Sequence, residues 1–129
     1  MRHSAALCYL VTAIHHKGIT QQFLEHMHRR GVAFSDVYNG LQAAITARRS
    51  HPTHPIDTSL IICFMRELGQ LAAAKTLAAA LPYIRGISGL GLASAEVGNP
   101  PEAFKDVYNT GGLLGLHKVA HAGGRRQLV

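Results

Sequence analysis

The residue best placed to do chemistry is a histidine near the C-terminus. Leu116-His117-Lys118-Val119-Ala120-His121-Ala122-Gly123 reads as a buried β-strand that ends on His121 and turns at Gly123. A histidine at the C-terminal end of a parallel strand aims its imidazole at a barrel mouth, where such folds keep their chemistry. Neutral imidazole is also the commonest metal ligand. Metal ligation is therefore the chemistry to test at His121. Lys118, by the alternation of strand side chains, faces away from His117 and His121.

The other histidines carry less. Five of the nine fall in residues 1–30: His3, His15, His16, His26 and His28. His26-Met27-His28 imitates a strand-borne ligand pair, because alternate strand residues point the same way. Its surroundings are helically patterned, so a solvated polar patch is the expectation. His15-His16 and the pair His51 and His54 sit in expected loops and suit only adventitious metal. Gly89, Gly91 and Gly98 do not form a nucleotide-binding fingerprint; they permit close strand packing and a turn.

The elements that must position His121 follow from hydropathy. Residues 1–30 are poorly patterned, with a helix expected from Gln21 to Arg29. From Gly31 the pattern is regular. Ser35 or Asp36 can cap a helix running to Arg49, with Val37, Leu41, Ala44 and Ile45 at helical spacing and Arg48-Arg49 in its last turn. His51-Pro52-Thr53-His54-Pro55 is a loop, since its prolines forbid a helix. Thr58 to Met65 is a continuous apolar run, the signature of a strand buried on both faces. Gln70 to Leu81 is rich in alanine and leucine and stops at Pro82. Ile87 to Leu92 is a second strand. Asn99-Pro100-Pro101-Glu102 opens a helix to Asn109, ended by Gly111-Gly112. Leu116 to His121 is the third strand. Such alternation predicts an α/β fold with a parallel sheet and right-handed crossovers. A closed eight-stranded barrel takes about 250 residues, so this chain supplies a partial (β/α) barrel.

Composition bounds the rest. The 129 residues are 47% hydrophobic and 16% charged, which suits one small folded domain. No apolar run reaches the roughly 18 residues of a membrane span, so no membrane partner is expected. The N-terminus, Met1-Arg2-His3-Ser4 and then Ala5 to Val11, mimics a secretory signal but lacks a small-residue cleavage site. Cys8 and Cys63 are far apart and read as thiols in a reducing cytoplasm. The net charge is +6. Its basic residues are dispersed apart from Arg29-Arg30, Arg48-Arg49 and Arg125-Arg126, and aromatics are not interleaved with them. A solvated basic surface is favoured over a specific nucleic-acid site.

Residues 31–123 resemble the middle of a bacterial adenosine/adenine deaminase, of the zinc-dependent metallohydrolase barrel superfamily. The likeness rests on Ile62-Cys63-Phe64-Met65-Arg66, on Gly91-Leu92-Ala93-Ser94-Ala95-Glu96-Val97-Gly98-Asn99-Pro100-Pro101, and on Val119-Ala120-His121-Ala122-Gly123. The second segment is similar to the adenine-deaminase branch in particular. The resemblance implies a TIM-type barrel that hydrolytically deaminates a purine base or nucleoside, giving hypoxanthine or inosine plus ammonia, in purine salvage. It implies that His121 is a zinc-ligand position, that Ser94 contacts the purine through its backbone, and that Glu96 lines the pocket. Arg66 ends the earlier strand. In the family, zinc turns water into the attacking hydroxide, and a glutamate after His-Ala-Gly shuttles the proton.

The chain departs from that pattern. Gly124 occupies the shuttle position and has no ionisable group. Ala93 replaces an expected aspartate, and Glu67 stands where histidine is usual. The first-strand His-x-His pair, a later histidine and an aspartate near the family's C-terminus have no counterpart. A catalytic zinc needs about three protein ligands, and His121 is the one that can be placed. The expectation is a truncated, inactive fragment of barrel (31–123) flanked by a segment (1–30) and a basic tail (124–129), both out of frame. Its open strands would favour self-association through exposed sheet edges. Two alternatives stay open: a non-catalytic binding or regulatory module that pairs with a complete subunit, and a small basic nucleic-acid binder.

Overall fold

A computed structural model describes residues 18–22 and 30–123. The elements run β1 (Gly18–Gln22), α1 (Phe34–Arg49), β2 (Thr58–Met65), α2 (Gly69–Ala80), β3 (Gly89–Ala93), α3 (Lys105–Leu113) and β4 (His117–Lys118). The strands form one sheet in the order β1-β2-β3-β4. Every neighbouring pair is parallel. This is the expected α/β alternation, with the three expected strands present and β1 added to them.

The strand β2 organises the core, because its side chains are buried on both faces. Leu60, Ile62 and Phe64 join Leu90, Leu92 and Leu116 in a cluster with Phe34, Ala73, Leu77, Ala80, Phe104 and Val107 from the helical layer. Ile61 and Cys63 pack with Ala93 in a second cluster. The periodicity of 2 along β2 thus separates a helix-facing set from an inward-facing set. The small residues of α2 let it lie close against the sheet, with Ala73 and Ala80 fully buried.

Several expectations are corrected. Gln21 and Gln22 belong to β1 and do not begin a helix; the rest of that expected helix, with His26 and His28, lies outside the described residues. Residues Ser35 and Asp36 sit inside α1, whose N-cap is Ala33 with no side-chain cap. The anchor there is Phe34, which stacks on Tyr83 at 5.7 Å, while Tyr38 meets Tyr83 at 4.7 Å. Burial of that aromatic group, worth about 0.5–1.5 kcal/mol per ring pair beyond area, sets the helix start. The last helix begins as a 3-10 turn over Pro101–Phe104 and then continues through Gly111-Gly112 to Leu113. Gly111 is buried against β3, and a Cβ there would collide with the side chain of Leu90. The glycine is a contact surface and not a stop.

The final strand is not buried as expected. Leu116 is in the core, but residues 117–123 are exposed, because β4 is the outer strand among the described residues. Its ladder still continues past the two assigned residues: the N–H groups of His117, Val119 and His121 donate to the carbonyls of Ser88, Leu90 and Leu92 at 3.0, 2.9 and 2.8 Å. Among the described residues, no helix is long and apolar enough to cross a membrane.

The two adjacent glycines give a test. A Cβ at Gly112 would meet only the flexible end of Lys118, and alanine gains about 1 kcal/mol over glycine in a helix. Gly112→Ala is expected to be neutral or stabilising. Gly111→Ala must overpack Leu90, a cost of about 1–3 kcal/mol. Urea unfolding should rank Gly111→Ala below Gly112→Ala; the reverse order would refute this packing.

Candidate functional site at the strand ends

The register of the sheet brings the sequence-identified residues to one end. Met65 pairs with Ala93, so Arg66 and Ser94 leave the sheet at the same level. The β3–β4 register pairs Leu90 with Lys118, and the continuing ladder carries His121 to that level too. All three stand at the C-terminal ends of parallel strands, the end that carries function in such folds.

Arg66 ties these ends together. It is only 3% exposed. Its Nη1 donates to the carbonyl of Asn99 at 3.0 Å, and its Nη2 donates to the carbonyl of His121 at 2.8 Å. The loop after β3 and the segment after β4 thus hang on one guanidinium from the end of β2. The Arg66 Nε is buried and has no hydrogen-bond partner among the described residues. Asn99 in turn folds its own loop, its Nδ2 donating to the carbonyls of Ala95 and Val97 at 3.0 and 3.2 Å.

The remaining residues complete the rim. Ser94 adopts a φ of +72°, a left-handed conformation uncommon outside glycine. Its hydroxyl donates to Glu67 Oε1 at 2.8 Å. Glu96 Oε2 accepts the backbone N–H of Gly123 at 3.0 Å. Ser94, Glu96 and His121 are therefore brought to one rim, with Glu67 beside Ser94. The shuttle position, Gly124, lies outside the described residues.

Tyr108 is a rim residue that sequence reasoning missed. Its hydroxyl donates to the carbonyl of Val119 at 2.6 Å. Burial pushes its phenol well above the ordinary tyrosine range, and the neighbouring Cys63 adds to the rise while Arg66 opposes it. The structural role of Arg66 was also missed, and Asn99 was read only as part of the opening of the last helix.

The described residues do not by themselves make up a zinc site. Among the described residues, no group of three or more histidine, cysteine, aspartate or glutamate side chains converges. His51 and His54 have ring centroids 5.9 Å apart. Their Nδ1 atoms lie 3.3 and 2.8 Å from the Thr53 hydroxyl in a loop network. A cavity of about 230 Å³, lined in part by Gln42, Arg49, Ser59, Arg85 and Ser88, opens near the N-terminal ends of β2 and β3. That is the end opposite the rim, where conserved structure in barrels serves stability.

Comparison with known proteins places this geometry. The family model for adenosine deaminase matches residues 14–128, reaching beyond 31–123 at both ends. An adenine deaminase of Streptomyces coelicolor is 48% identical over 94 residues, which cover 73% of this chain and 27% of that protein. One from Cupriavidus pinatubonensis is 46% identical over 94 residues, covering 73% and 26%. The crystal structure of adenine deaminase from Arthrobacter aurescens superposes with a TM-score of 0.78 at 32% identity, over 84% of this chain and 32% of that one. The matched stretch thus spans about a quarter of the curated relatives.

Two expectations follow from the rim. Arg66→Met removes two charge-assisted hydrogen bonds, each worth about 1.5–3 kcal/mol. Its stability in urea should fall by about 2–4 kcal/mol after allowance for the buried charge removed, with hydrogen exchange rising first in 96–100 and 121–123. Uniform exchange changes would refute the clamp. Tyr108, its folded pKa raised above the unfolded value of about 10, should contribute a phenol that ionises above that value in an absorbance titration. A raised acid favours folding fully below the unfolded pKa, so stability should decline as pH climbs above about 10. Tyr108→Phe should lose that decline.

Proposed function

This chain belongs to the adenosine deaminase family, and we propose on that premise that it is a partial barrel of a zinc-dependent aminohydrolase acting on purines. Adenine is the favoured substrate, since the relatives and the solved structure described above are adenine deaminases. The observation that carries the reading is the convergence of Ser94, Glu96 and His121 on one rim of strand ends. In this reading Ser94 offers backbone groups to the purine, Glu96 lines the pocket, and His121 occupies a metal-ligand position. Residues 31–123 make up most of the barrel body, to which β1 adds a strand from within residues 1–30. A reducing cytoplasm suits the buried Cys63 thiol.

The same reading holds the chain to be inactive by itself. When bound in such a site, zinc supplies an activated water nucleophile at neutral pH. The described residues supply too few ligands for it. At the position that would move the proton stands Gly124, with nothing to titrate.

A chimera tests the assignment. Residues 31–123 would replace the matching stretch of the Streptomyces coelicolor enzyme, with glutamate kept after Gly123. Ammonia release from adenine should persist, and His121→Ala in the chimera should abolish it and lower bound zinc. A folded, zinc-loaded chimera without activity would overturn the reading. The native chain, dialysed against zinc, should retain well under one equivalent by mass spectrometry.

A second reading, a binding module that has shed catalysis, draws on the Arg66 clamp, which fastens the two rim loops to the end of β2. Purification with a complete subunit at fixed stoichiometry would support it.

A further inference from the structure

We infer that the polar cavity at the N-terminal ends of β2 and β3 is a binding site for a phosphate group, free or carried on a small monoester, with Arg49 and Arg85 as its cationic partners. The site lies at the opposite end of the sheet from the rim. It does not rest on the deaminase reading, so either can fail alone.

The cavity holds about 230 Å³ and gathers polar residues from three separate stretches of chain. Gln42 and Arg49 come from α1, about two helical turns apart and so on one face. Ser59 comes from the start of β2, and Arg85 and Ser88 come from the approach to β3. Two arginines thus line one cavity from different elements. The carboxylate beside them is Asp57, and it accepts from Arg49 Nη2 at 2.8 Å. That ion pair answers one of the two charges and leaves Arg85 uncompensated among the described residues.

An accounting of donors and acceptors gives the ligand its sign. The nearby acceptors are engaged. The Gly86 carbonyl accepts from Gln42 Nε2 at 3.3 Å, and the Leu60 carbonyl accepts the Ser88 N–H at 2.8 Å. At the end of α1 the Thr46 carbonyl takes the Ser50 N–H, and the Arg48 carbonyl takes those of His51 and Ile56. Donors are left over. Among the described residues, the Arg85 guanidinium and the hydroxyls of Ser59 and Ser88 have no hydrogen-bond partner. A guanidinium donates and cannot accept, so the surplus matches a group that only accepts and carries negative charge. Phosphate does both, offers more oxygens than a carboxylate, and takes arginine in a bidentate fork.

Heat unfolding of the purified full chain tests the site, with orthophosphate and ribose 5-phosphate as probes. A ligand that binds the folded state alone raises the midpoint with its concentration. One or both probes should do so saturably, with a Kd of about 1 mM or tighter, and the tighter of the two identifies the source. Chloride at matched ionic strength should not. Arg85→Gln should weaken binding about tenfold or more, as the loss of a charge-assisted contact requires. Arg48→Gln removes the same charge beside Arg49 but outside the cavity lining, and should bind within about twofold of the unaltered chain. Independently of stability, the Arg85 Nε–H resonance, assigned by its absence in Arg85→Gln, should shift along the same saturation curve. A rise that chloride reproduces or that does not saturate would overturn the inference. So would equal weakening by Arg48→Gln and Arg85→Gln, or an Arg85 resonance that does not move.

Discussion

Everything else in the fold depends on the burial of β2 on both faces. A strand with Leu60, Ile62 and Phe64 on one face and Ile61 and Cys63 on the other is stable only with cover on each. The helix-facing set obtains it from α1, α2 and α3. The register then has no freedom, because a slip of one residue would exchange the two sets. That constraint reaches the rim directly. With Met65 fixed opposite Ala93, Arg66 and Ser94 must emerge together, and the β4 ladder delivers His121 beside them. The rim is thus a consequence of core packing at a distance of one residue.

The rim is held by main-chain carbonyls. Burying a guanidinium costs several kcal/mol unless its protons find acceptors. Arg66 meets the carbonyls of Asn99 and His121, which otherwise would be loose loop ends. Tyr108 does the same for Val119. These contacts offset desolvation of the side chain and ordering of the loop in one step. Glu67 and Glu96 add carboxylate acceptors, for the Ser94 hydroxyl and the Gly123 N–H.

How far this was legible depended on whether the cause was local. The apolar run of β2 and the alanine-leucine content of α2 are local signals, and both elements lie within a residue of expectation. The strand β1 has a single strongly apolar residue, Ile19, in Gly18–Gln22; its strand state comes from pairing with β2, which no window of sequence displays. Gly111 reads as a helix stop until Leu90 is known to lie against it. Ser94, Glu96 and His121 were singled out through motifs, whereas the clamp joins Arg66 to a residue 55 positions away and left no mark on local composition. Alternation alone suggested a buried last strand; exposure of residues 117–123 depends on what stands beyond β4.

Shape and chemistry are separable here for a physical reason. The stabilising burial lies in the layer between sheet and helices, whereas the family's chemical positions lie at the strand ends. At Glu67, where the resemblance leads one to expect histidine, the carboxylate takes the Ser94 hydroxyl and so has a place in the rim's hydrogen bonding. At Ala93, where it leads one to expect aspartate, a small residue packs under Ile61 and Cys63 and leaves no buried charge to neutralise. Each departure is compatible with the packing around it. The rim loops are fastened through Arg66 to the carbonyls of Asn99 and His121, contacts to the backbone that do not depend on which side chains stand at positions 67 and 93.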